Sequence, residues 1–179
     1  MGVSSSVPMT KSELGSRVGG LCRLTGRFRL RSGLVSSSYF DKYLFESDPV
    51  LLDAVAAHLV DLPAAVDRGP RRPRARRRAR RHALSLRTGL PVAFVRKAAK
   101  TYGTAKLAEG VDMGGRRVVV IEDVVTTGGQ VAASAGELRD QGALVDTVVC
   151  VVDRSGGRHV VLRDAGLATV ALFSSDELV

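Results

Sequence analysis

Apolar positions along this chain change their period several times, and each change marks an element. Leu14, Val18, Leu21 and Cys22 recur at helical spacing behind Thr10-Lys11-Ser12-Glu13, a capping-box sequence, so a helix begins near residue 11 and runs to Gly26. Phe28–Arg31 and Ser37–Phe40 flank a glycine turn at Ser32-Gly33-Leu34 and read as a hairpin. Asp48-Pro49 pairs a cap with a first-turn proline, and Leu51, Leu52, Val55 and Leu59 give the helix that follows an apolar face. Residues 83–87 finish a further helix and 92–95 form a short strand. Polar, glycine-bearing residues 96–115 form a loop or hairpin. Strands over 117–122, 145–152 and 169–173 alternate with helices over 130–141 and 158–165. Val131, Ala135 and Leu138 set the face of the first of these helices. Alternating strands and helices predict an α/β fold with a parallel sheet covered on both sides. No internal repeat is visible.

At 179 residues the chain is expected to be one domain, 1–179, with enough length for a substantial core. No apolar run reaches the ~20 residues of a membrane span, and no signal peptide is expected, so a cytoplasmic setting follows. Cys22 and Cys150 are far apart, and Cys150 lies in an apolar run, so neither a disulfide framework nor a metal-ligand pattern is read. The net charge of +9 is local. Residues 68–82 hold nine arginines and no acid. Taking those nine from the 27 lysines and arginines leaves 18, equal to the 18 aspartates and glutamates.

Two segments carry chemistry. In the first, the β-branched residues Val118, Val119, Val120 and Ile121 suit a strand buried on both faces. The acids Glu122 and Asp123 follow, then Val124, Val125, Thr126, Thr127, Gly128, Gly129 and Gln130. Ligands of open α/β sheets bind beyond the carboxyl ends of such strands. There the acids can accept from sugar hydroxyls. The Thr/Gly loop and the helix N-terminus can hold a phosphate. In the second segment, Arg96, Lys97 and Lys100 fall within five residues, before Tyr102 and Gly103. Cations on a closing loop suit a step in which negative charge builds on a leaving group.

The first segment resembles the phosphoribosyl-pyrophosphate (PRPP) signature of the type I phosphoribosyltransferases. The second resembles the Arg-Lys-x-x-Lys-x-(His/Tyr)-Gly loop of the orotate phosphoribosyltransferases. Phe28-Arg29-Leu30-Arg31-Ser32-Gly33 with Ser38-Tyr39-Phe40, and Val152-Asp153-Arg154, are similar to that family's N-terminal and acceptor segments. The resemblance spans residues 20–178 apart from one gap. It implies the type I phosphoribosyltransferase fold, a parallel sheet of about five strands with flanking helices and a small N-terminal hood. It implies Mg²⁺-dependent transfer of phosphoribose from PRPP to orotate, giving orotidine 5-monophosphate and pyrophosphate in pyrimidine biosynthesis. Catalytic roles fall to Lys97, Lys100 and Asp123. PRPP binding falls to Arg96, Lys97, Lys100, Tyr102 and residues Glu122 to Gln130. Thr126 and Arg154 take the orotate, the arginine through paired hydrogen bonds to its carboxylate. The ion is held mainly by substrate oxygens and water, so no protein metal ligand is named. A homodimer is implied, with neither nucleic acid nor membrane as partner.

The gap is the arginine block. The family carries a strand there and then a glycine-rich pyrophosphate loop, roughly Ala-Gly-x-x-x-Gly-Gly-(Ile/Val)-Pro-(Leu/Ile)-Ala. Three explanations compete: a basic patch for nucleic acid or lipid, an insertion, and a stretch translated out of frame between two compensating indels. The last is favoured. Glycine codons GGC-GGC read two bases along give CGG, arginine, and the length is nearly conserved. The block is expected to damage the pyrophosphate half of the site and to be unfit for a central buried strand, because unpaired buried arginines cost several kcal/mol each. Two other functions stay open on sequence: a different PRPP-dependent base phosphoribosyltransferase, and a non-catalytic RNA-binding regulator on the same fold.

Overall fold

The computed structural model describes residues 9–29, 33–62, 74–75, 78–95 and 108–178. Helix α1 (Lys11–Cys22) starts at the expected capping box: Thr10 accepts from the Glu13 amide while Glu13 reaches back to the Thr10 amide at 2.8 Å. The helix ends at Cys22, four residues before the expected stop. The chain turns extended at Arg23 and enters β1 (Arg23–Arg29), which pairs antiparallel with β2 (Val35–Phe40). Gly26 therefore lies inside a strand, where the register shifts between Thr25 and Phe28; glycine in a strand often marks such an irregularity. These two strands form a separate small sheet, the expected N-terminal hood.

Helix α2 (Lys42–Ser47) is capped by Asp41, whose carboxylate accepts from the Tyr43 amide at 3.0 Å. Helix α3 (Pro49–Asp61) is capped by Asp48, which accepts from the amides of Val50 and Leu51. The main sheet runs in the order β5 (Ala108–Glu109), β4 (Val92–Val95), β3 (Arg74–Ala75), β6 (Arg117–Val125), β7 (Leu144–Asp153), β8 (Ala168–Ser174). Five of these strands are parallel, and β5 joins the edge antiparallel to β4. Helices α4 (Arg78–Thr88), α5 (Gly129–Asp140) and α6 (Val160–Asp164) complete the layers.

Side-chain alternation along β6 divides the core in two. Val119 and Ile121 face a cluster with Leu14, Val18, Phe45, Val55, Leu59 and Leu84, from α1 to α4. Val118 and Val120 face Val131, Ala135, Leu138 and Leu162, from α5 and α6. A strand buried on both faces needs apolar residues at consecutive positions, which is why the valine run is continuous.

The arginine block departs from expectation. Arg74 and Ala75 do enter the sheet between β4 and β6, Arg74 in register with Val92 and Val119 and Ala75 with Ala93 and Val120. Among the described residues, this central strand position holds two, beside a neighbour of nine. The remainder of the block up to Arg77 lies outside the described residues. No helix among the described residues is long and apolar enough to cross a membrane.

Candidate functional site

The strand was expected to end at Glu122, with Asp123 beyond it. Instead β6 continues through them to Val125, paired with β7 as Glu122 to Cys150, Val124 to Val152 and Val125 to Asp153. Acids are poor strand formers, but the parallel ladder to β7 carries the backbone on. Glu122 and Asp123 keep only 6 % and 2 % exposure.

The two carboxylates face different neighbours. Glu122 is level with Cys150, whose side chain belongs to the α5 side of the core. Asp123 turns to the other face, where Lys42 of α2 forms an ion pair with its Oδ2. Its Oδ1 accepts from the Val124 amide at 3.0 Å. Sequence reading missed Lys42. Its one signal was a lysine placed directly after an N-cap aspartate at the foot of the hairpin, against the helix-dipole preference for acids in a first turn.

The loop after β6 is open at its threonines and tight at its first glycine. Thr126 and Thr127 are exposed, and Gly128 is buried with a left-handed φ of 77°. A Cβ at Gly128 would sit 2.6 Å from Leu162 Cγ, so α6 presses on the loop from behind. No side chain caps α5, and its first-turn amides open toward the loop. Gly129 and Gln130 begin that helix and are exposed.

Arg154 lies just past β7 and is exposed; its amide donates to the Val125 carbonyl at 2.8 Å. That bond joins the end of β7 to the residue before Thr126. The two residues expected to take the acceptor base are therefore neighbours. Arg96, Lys97, Lys100 and Tyr102 lie outside the described residues.

Behind Arg154, Asp153 anchors the loop that follows. Its Oδ1 accepts from the Ser155 amide at 2.8 Å, and its Oδ2 from the Gly157 amide at 3.3 Å. His159 bridges the two ends, with Nε2 3.2 Å from Asp153 Oδ2 and Nδ1 3.3 Å from Ser155 Oγ. Burial pushes the Asp153 carboxyl up, but the Ser155 bonds, the His159 charge and the Gly157 amide together hold it below the ordinary aspartate value of 3.8. A depressed carboxyl stabilises the fold above its unfolded-state pKa and loses that contribution as pH falls through its folded-state value. Asp153→Asn is therefore expected to melt below the parent from pH 7 down to about 4. The difference closes at more acid pH. Melting followed by circular dichroism across that range checks it, and a gap that persists unchanged at the acid end contradicts it.

Burial, and then the charges of Asp153 and Glu122, push the Cys150 thiol up to about 12. It stays a protonated core residue, as the apolar run around it implied. Both cysteines are buried and free.

No protein-family model matches the sequence. Curated relatives do. An orotate phosphoribosyltransferase of Nocardioides sp. is 48% identical over 172 residues, covering 92% of each chain. One of Methanocella arvoryzae is 40% identical over 163 residues, covering 86% of this chain and 88% of the relative. Among solved structures, the orotate phosphoribosyltransferase of Mycobacterium tuberculosis H37Rv in complex with Fe(III) dicitrate superposes with a TM-score of 0.80 at 27% identity, over 94% of this chain and 98% of that one. The Aeropyrum pernix orotate phosphoribosyltransferase gives 0.73 at 26% identity, over 94% and 96%.

Proposed function

The chain belongs to the orotate phosphoribosyltransferase family, and on that footing we propose how its residues divide the reaction. The enzyme is a pentosyltransferase of pyrimidine biosynthesis. It joins a ring nitrogen of orotate to the sugar carbon of PRPP and breaks that carbon's bond to pyrophosphate. The observation that carries the assignment of roles is the pair of buried carboxylates at the end of β6, leading into Gly128 and the open N-terminus of α5.

In this reading Asp123 and Glu122 accept hydrogen bonds from the ribose hydroxyls, and Asp123 steadies the cation-like sugar as the leaving bond lengthens. The backbone from Val124 to Gln130, with the Thr126 and Thr127 hydroxyls, wraps the 5-phosphate. Arg154 grips the orotate carboxylate in two parallel bonds beside Thr126. Arg96, Lys97 and Lys100 neutralise the departing pyrophosphate, and Tyr102 is a contact residue in the same loop.

Mg²⁺ fits this arrangement as a substrate-borne ion. Asp123 already faces the Lys42 ammonium, a poor setting for a second cation. Mg²⁺ at phosphate sites keeps water and substrate oxygens as ligands. When bound it supplies charge neutralisation on the phosphates. We further read the chain as one domain acting in a homodimer, with the 96–103 loop reaching a neighbour's site. Two buried thiols suit the reducing cytoplasm.

The test is turnover with PRPP and Mg²⁺ against a panel of bases. Orotate is expected as the preferred acceptor, with adenine, hypoxanthine and uracil at least ~100-fold slower, because a site built around a carboxylate contact rejects acceptors lacking it. A faster purine or uracil reaction overturns the assignment of Thr126 and Arg154.

A further inference from the structure

We propose that Lys42 is a positioning residue for Asp123, tying the N-terminal hood to the ribose site. The proposal rests on the reading of Asp123 as a ribose ligand and adds a residue that neither the sequence motifs nor the acceptor contacts include.

The placement of Lys42 is built from below. The Asp41 amide donates to the Cys22 carbonyl at 2.8 Å, fixing where the hairpin returns to α1. Asp41 then caps α2, and Phe45, one turn on, is fully buried in the core beneath. Lys42, at the first position of that short helix, reaches Asp123 on β6. Its side chain retains 21 % exposure and that of Asp123 3 %. A lysine so far out of water needs a paired anion. Asp123 supplies it, and the Tyr43 ring lies 5.5 Å from the same ammonium.

The consequences for the reaction follow from charge and geometry. PRPP arrives carrying several negative charges on its phosphate and pyrophosphate, and two adjacent carboxylates repel it. Lys42 cancels one of them. The ion pair and the Val124 amide also engage different oxygens of Asp123, so the plane of its carboxylate is set before the sugar binds. A carboxylate offers about four acceptor positions, so these two partners do not by themselves exhaust it. Preorganised acceptors are worth more than ones that must be ordered during the reaction.

The experiment is a double-mutant cycle on the full chain with Lys42→Met, Lys42→Arg, Asp123→Asn and Lys42→Met/Asp123→Asn. It is read by kcat/KM for PRPP, PRPP affinity by calorimetry, and Tm. Lys42→Met is expected to lower kcat/KM by roughly 10- to 100-fold, and Lys42→Arg to recover it to within about 3-fold. In the Asp123→Asn background, Lys42→Met should change kcat/KM by less than about 3-fold, because a residue acting through Asp123 has nothing left to position. Equal losses in both backgrounds, or a Lys42→Met enzyme within about 2-fold of the parent, overturn the proposal. If Lys42→Met alone is too unstable to assay, comparing Lys42→Arg with the double variant decides: the arginine variant must approach the parent, and the double variant must match Asp123→Asn. A parent that neither binds nor consumes PRPP sinks the reading of the site and the role of Lys42 with it. A parent that binds PRPP but gives an additive cycle sinks the role of Lys42 alone.

Discussion

Rewriting residues 68–82 as a glycine-rich apolar segment of the family's form raises turnover of PRPP with orotate by two orders of magnitude or more. The scale comes from the loss of a single preorganised donor to developing negative charge, which costs about 10²- to 10³-fold. A glycine loop supplies several such donors from its backbone, held where the leaving pyrophosphate builds its charge. Arginine side chains bring charge but not that fixed array of amides. The fold gives a second reason. Among the described residues, Arg74 and Ala75 are the ones paired between β4 and β6, and they meet β6 at Val119 and Val120, short of the acids. An apolar strand restored there would extend the ladder toward Glu122 and bury more surface, so Tm should rise together with kcat. Steady-state kinetics and melting of the two proteins side by side check both expectations. Equal turnover would mean that the block does not stand in place of the pyrophosphate loop. Resequencing the DNA is an independent check: without compensating indels on either side of the block, the frame explanation fails. If the arginines instead serve RNA, removing 68–82 abolishes salt-dependent RNA binding and leaves orotate turnover absent throughout.

Asp123→Asn is expected to lower kcat/KM for PRPP by roughly 10²- to 10³-fold, with Glu122→Gln less severe. An amide of the same shape can still accept one hydrogen bond. It carries no negative charge to oppose the positive charge developing on the sugar, and its NH₂ faces hydroxyls that need acceptors. The stronger effect falls on Asp123 because its removal also strands Lys42, whose side chain is four-fifths buried. Breaking one side of a buried pair is costly, about 2–4 kcal/mol here given the partial exposure of the lysine. Tm should therefore fall in Asp123→Asn more than in Glu122→Gln. Kinetics with saturating orotate, and melting without ligand, separate the two effects. An Asp123→Asn enzyme within about 10-fold of the parent would remove this carboxylate from the chemistry.

Local chemistry was legible wherever neighbours in sequence are also partners in space. The capping box at Thr10 and Glu13, the Asp48-Pro49 helix start and the Gly128 entry to α5 all depend on groups within four residues of one another. The valine run before Glu122 announced a strand buried on both faces, and the two core clusters bear it out. What failed to show depended on distant pairing. The strand read as ending at Glu122, where the apolar run gives out, yet the ladder to β7 carries it on to Val125. Gly26 read as a helix stop because nothing nearby reveals that Arg23 pairs with Phe40. The arginine block read as unfit for the sheet, yet two of its residues pair on both sides. Lys42 drew no reading at all, since the anion it meets belongs to β6, far along the chain.

The contact between Leu162 and Gly128 limits how this sequence can drift. Because a Cβ at 128 would meet Leu162 at 2.6 Å, the two positions cannot vary in either order. A lineage that enlarges residue 128 first passes through an intermediate with a distorted phosphate loop. One that shrinks Leu162 first opens a void in the core beneath α6 but keeps the loop. Only the second route is passable, and it too stops short, because the positive φ at 128 persists after the space has been cleared. A glycine there is thus fixed twice, once by a neighbour that mutation can remove and once by a backbone that it cannot.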